Sequence, residues 1–190
     1  SNGEYIEFLS ALKTSGNFEL YKKYYPDTLK WNTAFPDSYM KPFAENYFSH
    51  PAYANYPVVN ITIDDANAFC SWLTSLYKSQ NKSQSSIKFY IPNKQQWVLA
   101  CKVFPGNNLP WYGNFAYDQK ENCRANVSLK NPLGETYSAG ITAPVISYLP
   151  NNIGLYNIIG NVAEMTDENG IAMGGSWYNT ISECGADTTT

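Results

Sequence analysis

Residues 154–179 read GLYNIIGNVAEMTDENGIAMGGSWYN, and the fold turns on how this stretch is understood. Asn157, Gly160, Asn161 and Glu164 form the pattern N-x-x-G-N-x-x-E. Nine residues then separate Glu164 from the run Gly174, Gly175, Ser176, Trp177. The segment reads neither as an amphipathic helix nor, with so many polar residues, as a buried strand. It is read as a loop built around something, and the rest of the chain is examined for what that could be.

The 190 residues suit a single domain, 1–190, with a core large enough to fold without staples. A net charge of −3 and a pI near 5.1 leave no electrostatic footprint for nucleic acid. Of the 13 basic residues only Arg124 is arginine, so forked grips for phosphate are nearly absent. Aromatic residues reach 16%, with 16 Tyr and 5 Trp, a density that fits an irregular fold whose gaps are filled by large rings. Cys70, Cys101, Cys123 and Cys184 show no C-x-x-C pair and no zinc spacing. Cys70 and Cys101 fall on apolar helix faces and are read as buried free thiols, with a disulfide left open. No apolar run reaches membrane-spanning length, and no signal peptide is visible.

Along the chain, Tyr5, Phe8, Leu9 and Leu12 predict a short amphipathic helix over 4–13, followed by the apolar cluster FELYKKYY up to Pro26. Residues 26–57 are rich in Pro, Asn and aromatics without a clear period, and are read as an ordered, ring-pinned excursion. YPVVNITI (56–63) predicts a strand. Thr62 and Asp65 then give a start signal for a helix with Ala66, Phe69, Cys70, Leu73 and Tyr77 on one stripe. KFYIP predicts a strand end, and Asn93 with Gln96 opens a second helix that turns Trp97, Ala100 and Cys101 inward. Beyond Phe104, Pro, Gly and Asn recur every few residues, so regular structure is expected to be scarce.

In this order, YPVVNITIDDANAFCSWL, IPNKQQWVLACK, LPWYGN, RANV, APVISYLPNNIGLYNIIGNVAEMT and MGGSW resemble the formylglycine-generating-enzyme (sulfatase-modifying factor) domain family, from about residue 2 to 184. The resemblance implies an α+β fold related to the C-type lectins, with a small twisted sheet, two core helices and much irregular chain. The family's first strands and its closing strand have no counterpart here, so the chain is expected to be a piece of a longer protein. A narrower resemblance, in YYPDTLKW and ENYFSHPAYANYPVV, is to gliding-motility lipoproteins of type IX secretion in Bacteroidetes.

The resemblance also answers the opening question. Family members bind Ca²⁺ through the pattern carried here by Asn157, Gly160, Val162 and Glu164. A hard cation of this kind takes six to eight oxygens at about 2.3–2.6 Å from carboxylates, amides and peptide carbonyls. The residues alone also fit polar turn caps. A second family calcium site is matched by Asn126 and Val127, and loosely by Glu135 and Tyr137.

The enzymes of the family place cysteines three and eight residues after the GGS serine, and that pair binds copper(I). Here Asn179 stands at the first position and Cys184 at the second. Copper(I) wants thiolates, and an amide offers only a hard oxygen. No catalytic residue is therefore assigned, copper is not expected, and Cys184 is read as a vestigial position with a structural thiol. His50, the single histidine, is read as a hydrogen-bonded packing residue; GGSW precedes neither a Lys nor a helix and is no phosphate loop; the acidic run EMTDE (164–168) is read as a solvated loop.

The resulting expectation is a non-catalytic, calcium-stabilised structural or interaction module of a cell-envelope assembly. Its setting would be gliding motility or type IX secretion, periplasmic or at the outer membrane. Its partners would be other proteins, with a lipid anchor at a missing N-terminus as one way of attachment. The aromatic segment provides the expected partner face, with Trp31, Phe35, Tyr39, Phe48 and Tyr53. Two alternatives stand beside this reading: a formylglycine-generating type of oxidase, and a lectin-like module that binds glycans or peptides.

Overall fold

A computed structural model describes residues 1–31, 41–81, 86–101, 108–111, 123–130, 136–137 and 141–189. The chain resolves into two compact units, Ser1–Ile91 and Pro92–Thr190.

The first unit is helical. Helix α1, Asn2–Thr14, starts two residues earlier than the apolar pattern predicts, because Ser1 and Glu4 form a reciprocal capping box that closes the first turn. Its inward residues Tyr5, Phe8 and Leu9 are buried. Helix α2, Phe18–Lys23, follows a left-handed turn at Gly16. Helix α3 spans Lys41–Asn46 and helix α4 spans Ile63–Gln80. The Thr62–Asp65 box caps α4 as the sequence predicts: Asp65 N–H donates to Thr62 Oγ1 at 3.3 Å and Thr62 N–H to Asp65 Oδ2 at 2.7 Å. Phe69 and Trp72 of α4 close on Tyr5 and Phe8, with ring centroids 5.6–5.9 Å apart.

The aromatic excursion packs inward. Trp31, Ala44 and Tyr47 form a second cluster with Tyr53, Tyr56 and Val59 against it. Asn2 fastens this cluster to α1 by donating its amide hydrogens to the carbonyls of Tyr47 (2.9 Å) and Tyr53 (3.0 Å). The expected partner face is corrected accordingly. Trp31 is 7% exposed and Phe48 5%, and Tyr53 is partly buried, so these rings are core. Phe35 and Tyr39 lie outside the described residues.

Among the described residues neither strand expected in this unit forms a ladder. Around 56–63, Tyr47 Oη donates to the Pro57 carbonyl at 2.6 Å, Asp27 N–H donates to the Asn60 carbonyl at 3.0 Å, and Asn60 itself takes a positive φ of 60°. Around KFYIP, Phe89 N–H donates to Thr74 Oγ1 on α4 at 2.9 Å. In both places the backbone finds helix and loop partners, which β-propensity does not foresee.

The second unit begins with helix α5, Lys94–Cys101, capped as predicted by Asn93 and Gln96, each backbone N–H bonded to the other's side-chain oxygen at 2.8–3.0 Å. Trp97 and Cys101 are buried in its core beside Ala125, Val127, Ile158, Ile159, Met173 and Cys184. Two short antiparallel ladders follow: β1 (Leu129–Lys130) with β2 (Thr136–Tyr137), and β3 (Glu164–Met165) with β4 (Ala172–Met173). The second ladder corrects the reading of 154–179 as loop throughout. Glu168–Ile171 turns the chain through Asn169 and Gly170, whose φ of 80° suits glycine, and Ile171 N–H closes on the Glu168 carbonyl at 3.1 Å. All four cysteines are free thiols; Cys101 and Cys184 are buried, Cys70 and Cys123 partly so.

Candidate functional site

Three residues of the signature stretch sit in the left-handed region: Asn157 (φ 51°), Gly160 (φ 73°) and Asn161 (φ 64°). Asn adopts this region more readily than other side-chain-bearing residues, and the result is a tightly folded, non-helical path. At position 160 only glycine fits. A Cβ there would strike the Asn126 carbonyl oxygen and come within 2.7 Å of Val127 Cγ1.

That close approach joins two segments far apart in sequence. Asn161 N–H donates to the Asn126 carbonyl at 2.7 Å, Gly160 N–H to Gly174 at 2.8 Å, and Trp177 N–H to Asn161 at 3.0 Å. The Asn161 side chain, nearly inaccessible, works as a hub. Its Oδ1 accepts from Ala143 N–H (2.7 Å) and Asn126 Nδ2 (3.1 Å), and its Nδ2 donates to the Ala143 carbonyl (3.1 Å). Sequence reasoning passed over Asn161 although it sits inside the N-x-x-G-N-x-x-E pattern.

The expected calcium residues now have a geometry. Asn157 spends both amide hydrogens on the carbonyls of Pro144 (3.1 Å) and Val145 (2.9 Å), which leaves its Oδ1 buried without a hydrogen-bond partner. Asn126 does the same with Ile141 and Asn161, and its Oδ1 is likewise buried and bare. A buried acceptor left in this state costs about 1–3 kcal/mol. Of the three such oxygens among the described residues, two fall at positions named for metal ligation and the third is Asn2 Oδ1 in the helical unit. Among the described residues no hydrogen bond is made to the carbonyls of Gly160 or Val162. Glu164 starts β3, and its Oε2 accepts the indole N–H of Trp97 at 2.6 Å. Burial pushes the Glu164 carboxyl up to about 7, partly offset by that hydrogen bond. Trp97 was expected only as a core residue; its helix face gives no sign that the ring nitrogen reaches a carboxylate. Val127 is buried against Gly160, Glu135 lies outside the described residues, and Tyr137 pairs through its backbone with Leu129 in β1.

The residues named for calcium offer amide, peptide and carboxylate oxygens. Oxygens of this type are those a hard cation takes, and among the described residues no group of three or more His, Cys, Asp or Glu side chains is placed to hold a metal.

The second half of the stretch places Asn179 and Cys184. Asn179 closes a turn: its Oδ1 accepts from Ser176 N–H (2.9 Å) and Ser176 Oγ (2.8 Å), while its own N–H returns to the Ser176 carbonyl (3.0 Å). Cys184 is fully buried, and a Cβ on Gly175 would strike its sulfur. Burial, reinforced by the Glu183 charge, pushes the Cys184 thiol up to about 12, despite backbone hydrogen bonds from Ser176 and Gly160 that pull the other way. A cavity of about 280 Å³ opens nearby between Asn108, Leu109, Ile181, Ser182, Gly185 and Thr188, and Cys184 is not part of its lining.

The other residues singled out from sequence are placed simply. His50 is exposed and caps a short 3₁₀ turn, its Nδ1 accepting from Ala52 N–H at 3.2 Å. Of the acidic run, Asp167 and Glu168 are exposed, whereas Glu164 is partly buried and bonded to Trp97.

The sulfatase-modifying factor enzyme 1-like domain matches residues 1–187. The chain belongs to this family. It is 31% identical over 118 residues to the formylglycine-generating enzyme of Mus musculus, covering 60% of this chain and 28% of the mouse protein. It is 27% identical over 135 residues to the inactive Cα-formylglycine-generating enzyme 2 of Bos taurus, covering 66% of this chain and 40% of that one. The chain therefore spans well under half the length of these relatives. Among solved structures, variable protein 1 of Treponema denticola superposes with a TM-score of 0.50 at 18% identity, over 75% of this chain and 67% of its own. The family fold expected from the sequence, mixed helix and small sheet with long irregular segments, is the one observed.

Proposed function

We propose that this domain is a non-catalytic, calcium-stabilised structural and interaction module of a cell-envelope assembly, in the setting of gliding motility or type IX secretion. The observation that carries the non-catalytic reading is the pairing of Asn179 with Cys184. The first position spends its side chain on Ser176, and the second is a protonated thiol inside the core. Two-coordinate copper(I) needs two accessible thiolates, and this arrangement offers none at those positions. A relative whose name already calls it inactive is compatible with such a branch.

The calcium half of the proposal is supported by the bare Oδ1 atoms of Asn157 and Asn126 and by Glu164. Asn157, Gly160, Val162 and Glu164 would hold one ion. Asn126 and Val127 would contribute to a second, with Glu135 and Tyr137. The ion would act as a tie between residues 141–145, the signature loop and β3, and so replace the packing that an irregular chain lacks. The envelope setting, and a lipid anchor outside this chain, are supported by the likeness of YYPDTLKW and ENYFSHPAYANYPVV to gliding-motility lipoproteins. No helix among the described residues is long and apolar enough to cross a membrane.

The test is to supply copper(I), oxygen and a cysteine-containing peptide and to look for aldehyde by mass spectrometry, together with thiolate-to-copper absorption. Neither is expected. Aldehyde formation, or an absorption band lost on Cys184→Ser, would return the domain to the oxidases. Crosslinking in an envelope fraction of the source cells should recover secretion or gliding components, and recovery of the protein without any of them would overturn the setting.

A further inference from the structure

The helical unit exposes a patch that the calcium and envelope readings leave unused. Where α1 turns into α2 and onward to the start of the aromatic segment, Phe18 is 53% exposed, Tyr25 39% and Leu29 73%. Phe18 and Lys22, four residues apart, share one edge of α2, and Tyr25 follows just beyond the helix's C-cap at Tyr24. Lysines also flank the two partly buried tyrosines of this segment. Lys13 reaches over Tyr21 with its Nζ 5.8 Å from the ring centroid, and Lys23 over Tyr24 at 5.0 Å. Lys13, Lys22, Lys23 and Lys30 are all exposed.

The patch is basic within an acidic chain. Residues 13–30 hold four lysines against Glu19 and Asp27, so the segment carries +2 while the whole chain carries −3. Both carboxylates are engaged locally, Glu19 with Lys22 at 3.1 Å and Asp27 through its Oδ1 with Leu29 N–H at 3.1 Å.

We propose that this corner, from Lys13 to Lys30, is a docking surface for an anionic phospholipid bilayer. Phe18, Tyr25 and Leu29 would enter the headgroup boundary, and the four lysines would meet lipid phosphates. The chemistry favours a bilayer over a protein partner. Protein interfaces are depleted of lysine at their cores, whereas interfacial helices combine exposed aromatic and leucine side chains with a lysine-rich flank. Lysine combines a charged head with an apolar stem, so these exposed side chains can reach lipid phosphate from a boundary held by the apolar residues. The inference stands apart from the calcium site and does not depend on the envelope setting.

The test is co-sedimentation of the protein with vesicles of pure phosphatidylcholine and of phosphatidylcholine containing about one third phosphatidylglycerol, at two salt concentrations. Binding is expected only to the anionic vesicles and should weaken with salt. Each lysine near an anionic surface contributes a factor of about five, so Lys22→Gln with Lys23→Gln should lower the partition coefficient about 25-fold. Phe18→Ser with Leu29→Ser should weaken binding at both salt concentrations. These side chains are exposed, and circular dichroism and thermal unfolding of each variant check that the fold is kept. The proposal is overturned by equal binding to both vesicle types, by no binding to either, or by lysine variants that bind as well as the parent. Retention on an immobilised acidic protein without vesicle binding would assign the corner to a protein partner and would also overturn it.

Discussion

Replacing Glu164 by Gln tests the calcium proposal most sharply, because an ion ligand and a simple hydrogen-bond acceptor respond oppositely. Gln keeps an oxygen for the Trp97 indole N–H that Glu164 now accepts at 2.6 Å, but it removes the charge. Without calcium that charge is a burden. Burial raises the carboxyl from its usual 4.5 to about 7, so the folded state holds its proton more tightly than the unfolded state. A group of this kind contributes stability that is fully present below the unfolded value and is lost as pH rises through the folded value. Between about pH 4.5 and 8 the calcium-free protein should therefore lose on the order of 3 kcal/mol from this residue alone. The Gln variant should show no such loss. With chelator at pH 8 it should be more stable than the parent. With calcium at about 100 times its dissociation constant, the parent gains about 2.7 kcal/mol that the variant lacks. For a chain of this size each kcal/mol moves the melting temperature by about 2–4 °C, so calcium should raise the parent by about 5–11 °C. The assay is thermal unfolding of both proteins at pH 8 with calcium and with chelator. If the variant melts lower than the parent by the same amount in both conditions, Glu164 is only a partner for Trp97 and the ion-ligand reasoning is refuted.

Three further outcomes follow from the same site. Asn161→Ala removes three buried side-chain hydrogen bonds and places alanine at a φ of 64°, and it should cost about 3 kcal/mol or more in denaturant unfolding; a loss below about 1 kcal/mol would remove Asn161 from its hub role. Gly160→Ala drives a methyl group into the Asn126 carbonyl and should leave little folded protein by circular dichroism, whereas a fold that melts like the parent would show that the two segments need no such close approach. Cys184, with its thiol pushed up to about 12, should resist alkylation at pH 8 until the protein is unfolded, as followed by intact mass; rapid labelling of the native protein at this residue would contradict its burial.

What was legible in the sequence was local. The Thr62–Asp65 and Asn93–Gln96 boxes announce α4 and α5 because a cap needs only residues three apart. The inward stripe of α1 was equally visible, and its earlier start rests on Ser1 and Glu4, a box at the very edge of the pattern. What escaped depends on partners distant in sequence. YPVVNITI has the residues of a strand, yet Tyr47 and Asp27 claim its carbonyls. The ring count of residues 31–57 fits an interface and a core equally well, and only the packing of Trp31 and Tyr47 decides between them. The family motifs located Asn157, Gly160 and Glu164. The left-handed backbone at Asn157, Gly160 and Asn161 agrees with the loop reading there, while the ladder at 164–173 does not.

The two asparagines at 161 and 179 show how one residue type can serve opposite ends. Both are partly or fully buried and both tie the signature stretch to residues 126–128: Asn161, whose Oδ1 accepts from distant Ala143 and Asn126, through its own N–H to Asn126, and Asn179, whose Oδ1 closes a local turn, through its carbonyl to Ser128 N–H at 2.8 Å. At 161 the amide supports the bare oxygens of Asn126 and Asn157 by holding the surrounding backbone in place. At 179 it occupies a position where chemistry would require a thiolate, and a thiolate could not accept from Ser176 N–H and Oγ with the same short, directional bonds. Asn179 thus supplies a rigid turn through a hard amide oxygen. The prediction is that Asn179→Cys, which restores the thiol and removes the cap, lowers stability by about 1–2 kcal/mol while producing no aldehyde, because Cys184 stays protonated and buried. Stability equal to the parent, or oxidation of a cysteine peptide by this single variant, would show that the turn is incidental and that the core around Cys184 can open.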